Sequence, residues 1–205
     1  MQTKPTVFVV DDDDGVRKGL SLLLRSVGLN VEVFSGAPEF LEEYNPDRPG
    51  CLVLDVRMPG MSGLELQERL KTEQIDIPVI LLTGHGDVPM AVRAVQAGAV
   101  DFIEKPFREQ VLLDRIQQAL ALDASRRLSQ TQRAGVSARL GQLTPREREV
   151  LKLVVAGKHN KSIAADLGVT VKTIEFHRSK IMEKTQADSV AELVRLVMEA
   201  EGKAS

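Results

Sequence analysis

The sequence predicts a five-stranded, doubly wound parallel α/β domain followed by a small all-α domain. Three observations carry that expectation. Short apolar, β-branched runs alternate with helix-period segments through the first half, the pattern of repeated β/α units. The second half lacks such runs and holds helix-period stretches separated by glycines and threonine caps. The formal charge also changes sign: residues 1–107 carry 10 Lys/Arg against 17 Asp/Glu, and residues 108–205 carry 17 against 12. A chain of 205 residues is long enough for one large domain or two small ones. The charge division suggests different partners for the two halves, nucleic acid being the candidate for the basic one.

Thr6 to Val10 reads as the first strand and ends in four aspartates, Asp11 to Asp14. Val16, Leu20, Leu23, Leu24 and Val27 then fall on one helical face, with Gly28 placed as a left-handed cap. Val31 to Phe34 is the second strand, and Ala37 to Tyr44 a short helix. The run from Cys51 is the third strand. It delivers a single carboxylate, Asp55, to a proline-glycine turn at Pro59-Gly60. A helix over Gly63 to Lys71 uses Leu64, Leu66 and Leu70. Pro78 to Thr83 is apolar throughout and predicts a strand covered on both faces. A helix over Asp87 to Ala97, ending near Gly98, and a fifth strand over Val100 to Ile103 lead to Lys105-Pro106-Phe107. Leu112, Leu113, Ile116, Ala119 and Leu120 form a helical stripe that closes the domain at about residue 122.

Right-handed crossovers place all five strand ends on one rim, where ligands collect in open parallel sheets. That rim gathers Asp11 and Asp12, Asp55, Thr83 and Lys105 when strands one and three adjoin in a flavodoxin-like order. Clustered carboxylates repel one another without a cation, and ligation by oxygen alone suits Mg²⁺. A hydroxyl and an ammonium beside Asp55 can hold the remaining oxygens of a phosphoryl group. Asp13 and Asp14 belong to the start of the first helix, where acids complement the dipole.

The stretches VVDDDD, LVLDVRMPGMSGLEL and ILLTGHGDVPMAVRAVQAGAVDFIEKPF resemble the receiver domain of two-component response regulators. The resemblance spans roughly residues 5–122. It implies that Asp55 accepts phosphate from a sensor histidine kinase and that Asp11, Asp12, Asp55 and the Arg57 backbone carbonyl hold Mg²⁺. It implies that Thr83 and Lys105 bind the phosphoryl group, that Lys105-Pro106 is cis, and that Phe102 swings inward with the threonine. His85, His159 and His177 are too scattered for a metal site.

Residues 123–139 are mostly polar or small, and composition leaves a helical extension and a flexible tether equally open. At Thr144-Pro145-Arg146-Glu147 the chain carries a cap, a proline at the first helical position and the acid of a capping box. Val150, Leu151, Val154 and Val155 follow as a buried face before Gly157. Asn160 to Val169 with Gly168, then Thr170 as a further cap, form a helix-turn-helix. Ser189 to Glu199 is a last helix, with Leu193, Leu196 and Val197 for packing. On the recognition helix Ile174 and Ile181 face the core, whereas Lys172, Glu175, Phe176 and Ser179 share the opposite face at i, i+3, i+4, i+7 spacing. In a major groove Glu175 accepts from cytosine N4 and Phe176 meets a thymine methyl. Lys172, Arg178 and Lys180 serve phosphates. His177 lies nearer the core.

LTPREREVL and NKSIAADLGVTVKTIEFHRSKIMEK resemble the LuxR-type helix-turn-helix, covering about residues 140–205. Joined to the first half and its TGHGDVPMAV loop, the chain resembles the FixJ subgroup of response regulators. The expected function is a phosphorylation-dependent transcriptional regulator, not an enzyme, acting on double-stranded promoter DNA and on the transcription machinery. Its homodimer would form on phosphorylation through the face between the Asp87–Ala97 helix and the fifth strand, with Val92, Arg93 and Asp101. A phosphate-independent DNA-binding regulator is the alternative. An aspartate-nucleophile phosphohydrolase needs a second acid two residues after Asp55, and Arg57 stands there. One cysteine, no signal-peptide apolar region at the start and no apolar run of about 18 residues give the expectation of a cytoplasmic chain off the membrane.

Overall fold

The structure, a computed structural model, describes residues 4–84 and 98–200. The chain divides into two units, residues 1–126 and 127–205. The first holds strands β1 (Thr6–Val10), β2 (Asn30–Phe34), β3 (Gly50–Asp55), β4 (Val79–Thr83) and β5 (Asp101–Glu104) in the order β2-β1-β3-β4-β5, every neighbouring pair parallel. Among the described residues its helices are α1 (Asp14–Ser26), α2 (Ala37–Glu43), α3 (Gly63–Thr72) and the first part of α4 (Glu109–Gly141). The fifth strand begins one residue later than the apolar run suggests, because its pairing is set by β4: Ile80 opposes Asp101 and Thr83 opposes Glu104.

Alternation along each strand builds two cores. Phe8, Val10, Leu52, Leu54 and Leu81 face one side with Phe34, Phe40 and Leu66. Val7, Val9, Val53, Ile80 and Leu82 face the other with Leu24, Leu112 and Ile116. Both faces are therefore dry, and the central strands read as unbroken apolar runs. Phe8, Phe34, Phe40 and Tyr44, four of the seven aromatic residues, pack together. Tyr44 stacks on Phe40 at 4.8 Å between centroids and meets Phe8 edge-on at 5.1 Å.

Local chemistry sets the ends of the helices. The Asp13 carboxylate accepts from the Gly15 and Val16 amides, so it caps α1, and Asp14 is the first helical residue. Ser62 and Glu65 form a capping box on α3. Gly63 sits so close to β3 that a Cβ would lie 2.2 Å from the Asp55 carbonyl oxygen. Asp123 departs from the expectation of a polar connector. It is buried, and its Oδ2 accepts from the Gly50 amide at 2.9 Å, which ties α4 to the first residue of β3.

The second unit contains the remainder of α4 with α5 (Pro145–Val155), α6 (Asn160–Leu167), α7 (Val171–Thr185) and α8 (Val190–Ala200). Its core joins Val136, Leu143, Val150, Val154, Ile163, Ile174, Ile181 and Leu193. Thr144 and Glu147 make the expected capping box, and Gly168 closes α6 with φ of 66°. Among the described residues no helix is long and apolar enough to cross a membrane.

Candidate functional site

Three strands deliver the polar groups of the first unit to one rim. Asp11 follows β1, Asp55 ends β3, and Lys105 follows β5. Parallel pairing aligns these ends, and the Lys105 amide donates to the Thr83 carbonyl at 2.6 Å. The Lys105 ammonium donates to Asp11 Oδ2 and to Asp55 Oδ1, each at 2.7 Å. Residues 50 and 94 positions apart thus meet at one nitrogen. Asp55 Oδ2 accepts from the Arg57 amide at 2.7 Å, so the turn after β3 orients the carboxylate. Asp11, Asp55 and Thr83 are buried, Lys105 and Phe102 are half-buried, and Asp12 and Arg57 are exposed. Lys105-Pro106 is cis.

The electrostatics follow from that burial. Loss of hydration pushes the Asp11 carboxyl above its ordinary range, against the hydrogen bonds from Lys105 and the Asp13 amide that work to lower it. Burial also works to lower Lys105, but the hydrogen bonds to Asp11 and Asp55 outweigh it and hold the ammonium above its ordinary value. The site is an acid pair bridged by one internal cation.

In the second unit α7 presents the expected face. Ile174 and Ile181 are buried, while Lys172, Glu175, Phe176 and Ser179 are exposed, Phe176 to 60%. His177 is half-buried and meets Phe176 edge-on at 5.9 Å. Arg178 donates to Asn160 Oδ1 at 3.1 Å, and Lys180 pairs with Glu183 at 2.7 Å. Beside this face lies a polar cleft of about 740 Å³ at the start of α6, lined by Lys158, Asn160, Lys161, Ser162 and Arg178 among others.

A family description reading "Response regulator receiver domain" matches residues 7–117, and "Bacterial regulatory proteins, luxR family" matches residues 141–197. The chain is a two-component response regulator. It is 48% identical over 194 residues to Nodulation protein W of Bradyrhizobium diazoefficiens, covering 95% of this chain and 86% of that protein. It is 44% identical over 200 residues to Transcriptional regulatory protein FixJ of the same organism, covering 98% of each. Among solved structures, response regulator StyR superposes with a TM-score of 0.88 at 51% identity, covering 96% of this chain and all of that one. The response regulator thus pairs a receiver with a LuxR-type DNA-binding helix-turn-helix.

Receivers of this family generally bind Mg²⁺, and the donors present suit it. Two carboxylate oxygens already converge on one cation, the Lys105 ammonium. Among the described residues no three His, Cys, Asp or Glu side chains form a cage. An ion that keeps several waters needs only one or two carboxylates from the protein. His85, Val92, Arg93 and the Asp87–Ala97 helix lie outside the described residues. Asp101, expected at a dimer face, pairs with Arg115 at 2.6 Å and accepts from the Phe102 amide at 2.8 Å. Asn160, Lys158 and Lys161, to which sequence spacing assigns no role, line the cleft beside the recognition face. A basic cluster opening a helix, LysHisAsnLysSer at 158–162, was the available signal.

Proposed function

We propose that Asp55 is the phosphoryl acceptor of this regulator and that its phosphorylation controls binding to promoter DNA. The observation that supports it most is the Lys105 ammonium held between Asp55 and Asp11 at the strand-end rim. A sensor kinase phosphohistidine supplies the group. An Asp55 carboxylate oxygen bonds to phosphorus as the P–N bond breaks, and the histidine nitrogen keeps the electron pair and takes up a proton. Asp55 Oδ2 is oriented by the Arg57 amide, which leaves Oδ1 beside the ammonium. Lys105 then serves the phosphoryl oxygens, and the Thr83 hydroxyl and Phe102 side chain respond to them. Asp11, Asp12, Asp55 and the Arg57 carbonyl would hold Mg²⁺, which supplies neutralisation of the added charge.

The face that includes Asp101 then pairs two copies, with Val92 and Arg93 as further members. Two recognition helices then meet a two-fold site, with Glu175, Phe176 and Ser179 toward bases and Lys172, Arg178 and Lys180 toward phosphates. In this reading residues 1–122 are the receiver, 123–139 the connector and 140–205 the DNA-binding domain. The transcription machinery is the last partner, and the setting is the cytoplasm.

The test is incubation with a small phosphodonor such as acetyl phosphate plus Mg²⁺, read by phosphate-affinity electrophoresis. The wild type gains one acid-labile phosphate, and Asp55→Asn gains none while keeping its fold. Equal labelling of both would move the acceptor elsewhere.

A further inference from the structure

We infer that Arg17 is a positioning residue for the acidic pair, acting on the peptide that joins Asp11 to Asp12. This rests on the proposed assignment of those two acids to Mg²⁺. The Arg17 guanidinium donates from one terminal nitrogen to the Asp11 backbone carbonyl at 2.7 Å. The other terminal nitrogen reaches Asp14 Oδ1 at 3.3 Å. Its side chain is only 16% exposed, so the group is held in the structure and not free in solvent.

The position of that carbonyl gives the contact its consequence. Asp11 O and the Asp12 amide belong to one rigid peptide plane. Rotating the plane re-aims both carboxylates at once. Every other polar atom of Asp11 is already engaged. Its amide donates to Phe34 O at 3.3 Å, its Oδ1 accepts from the Asp13 amide at 2.9 Å, and its Oδ2 accepts from Lys105 at 2.7 Å. Arg17 supplies the remaining hold, from one turn into α1. Asp13 adds stiffness, because its carboxylate caps α1 while its carbonyl accepts from the Arg17 amide at 3.0 Å. The loop 11–14 and the first turn of α1 are thereby one locked unit.

Two effects of the guanidinium oppose each other. As a positive charge it repels an incoming cation, and as a clamp it preorganises the acids. A supporting contact that orients metal ligands is typically worth about 10-fold or more in affinity. The clamp therefore governs, and removing Arg17 weakens Mg²⁺ binding in spite of removing a positive charge.

The full chain is titrated with MgCl₂ by calorimetry, as wild type, Arg17→Ala, Arg17→Gln and Arg17→Lys. The expected result is a Kd about 10-fold weaker for Arg17→Ala, with partial recovery in Arg17→Gln, which retains a donor without the charge. Circular dichroism melts verify that each variant is folded, and the Gln and Lys variants carry the test if the alanine variant is not. Unchanged or tighter binding in the folded variants would overturn the inference and assign Arg17 a purely electrostatic role. A wild type without measurable Mg²⁺ binding would overturn both this inference and the metal assignment beneath it. A wild type that binds Mg²⁺ normally while Asp55→Asn still takes phosphate would fault only the acceptor assignment.

Discussion

Lys105 does at one nitrogen what sequence spacing hides: it bridges two acids that arrive from different strands. Removing it in Lys105→Met leaves Asp11 and Asp55 without their shared cation. Breaking a fully buried pair on one side costs roughly 3–5 kcal/mol, and Lys105 is 24% exposed, so about 2 kcal/mol is expected. The pH dependence has a definite sign. Burial raises the Asp11 carboxyl above 3.8, so the folded chain holds this proton more tightly than the unfolded chain. Its contribution to stability grows as pH falls through the raised value and is complete below 3.8. Lys105 opposes that rise, so its removal strengthens it. The deficit of Lys105→Met is therefore largest near pH 7 and shrinks toward pH 4 in guanidinium melts; a constant deficit would contradict the pairing. Cys51 offers a second residue-scale expectation. Burial first, and the Asp123 charge second, push its thiol up to about 12. A thiol reagent at pH 8 should label it only as fast as the chain opens, and immediate labelling of the folded protein would refute the burial.

At the element scale, β3 and the start of α3 approach closely at Gly63. Because a Cβ on Gly63 would sit 2.2 Å from the Asp55 carbonyl oxygen and 3.0 Å from Leu54 Cγ, Gly63→Ala has no soft neighbour to displace. The helix start must move away from β3 at a cost of about 3 kcal/mol, read as a lower guanidinium midpoint; a wild-type midpoint would show the strand yields freely. Elements of this kind were largely legible beforehand. Period and caps located the five strands and the capping box at Thr144, because such signals are local; the box at Ser62 is a finding of the structure. Asp123 was not legible, since its partner, the Gly50 amide, lies 73 residues away and nothing near position 123 announces burial. Asp11, Asp55 and Lys105 were legible as a set only because parallel topology stacks strand ends. Their common contact at one ammonium, and the Arg17 clamp, belong to side-chain geometry that no spacing encodes. On α7 the exposed face was readable from helical period, yet the Asn160–Arg178 contact across the turn was not.

Taken whole, the molecule carries three separate cores, two in the first unit and one in the second, and halves of opposite charge. A chain restricted to residues 127–205 contains a complete core and the basic half, so it should bind promoter DNA without phosphorylation. Its affinity should fall steeply with salt. Within the full protein, Glu175→Ala should alter base preference and leave the salt slope intact. Lys161→Ala should lower that slope by about one with little change in preference, and equal losses on every DNA sequence for both would contradict the assigned face. The grouping of aromatics has a practical consequence for such work. The chain has one tyrosine and no tryptophan, and that tyrosine is stacked against Phe40 in the sheet-bearing unit. Its ultraviolet emission is therefore a private optical reporter of that unit, silent on the helical one. Melting followed by tyrosine emission and by far-ultraviolet dichroism together will separate the two unfolding events in an unlabelled protein.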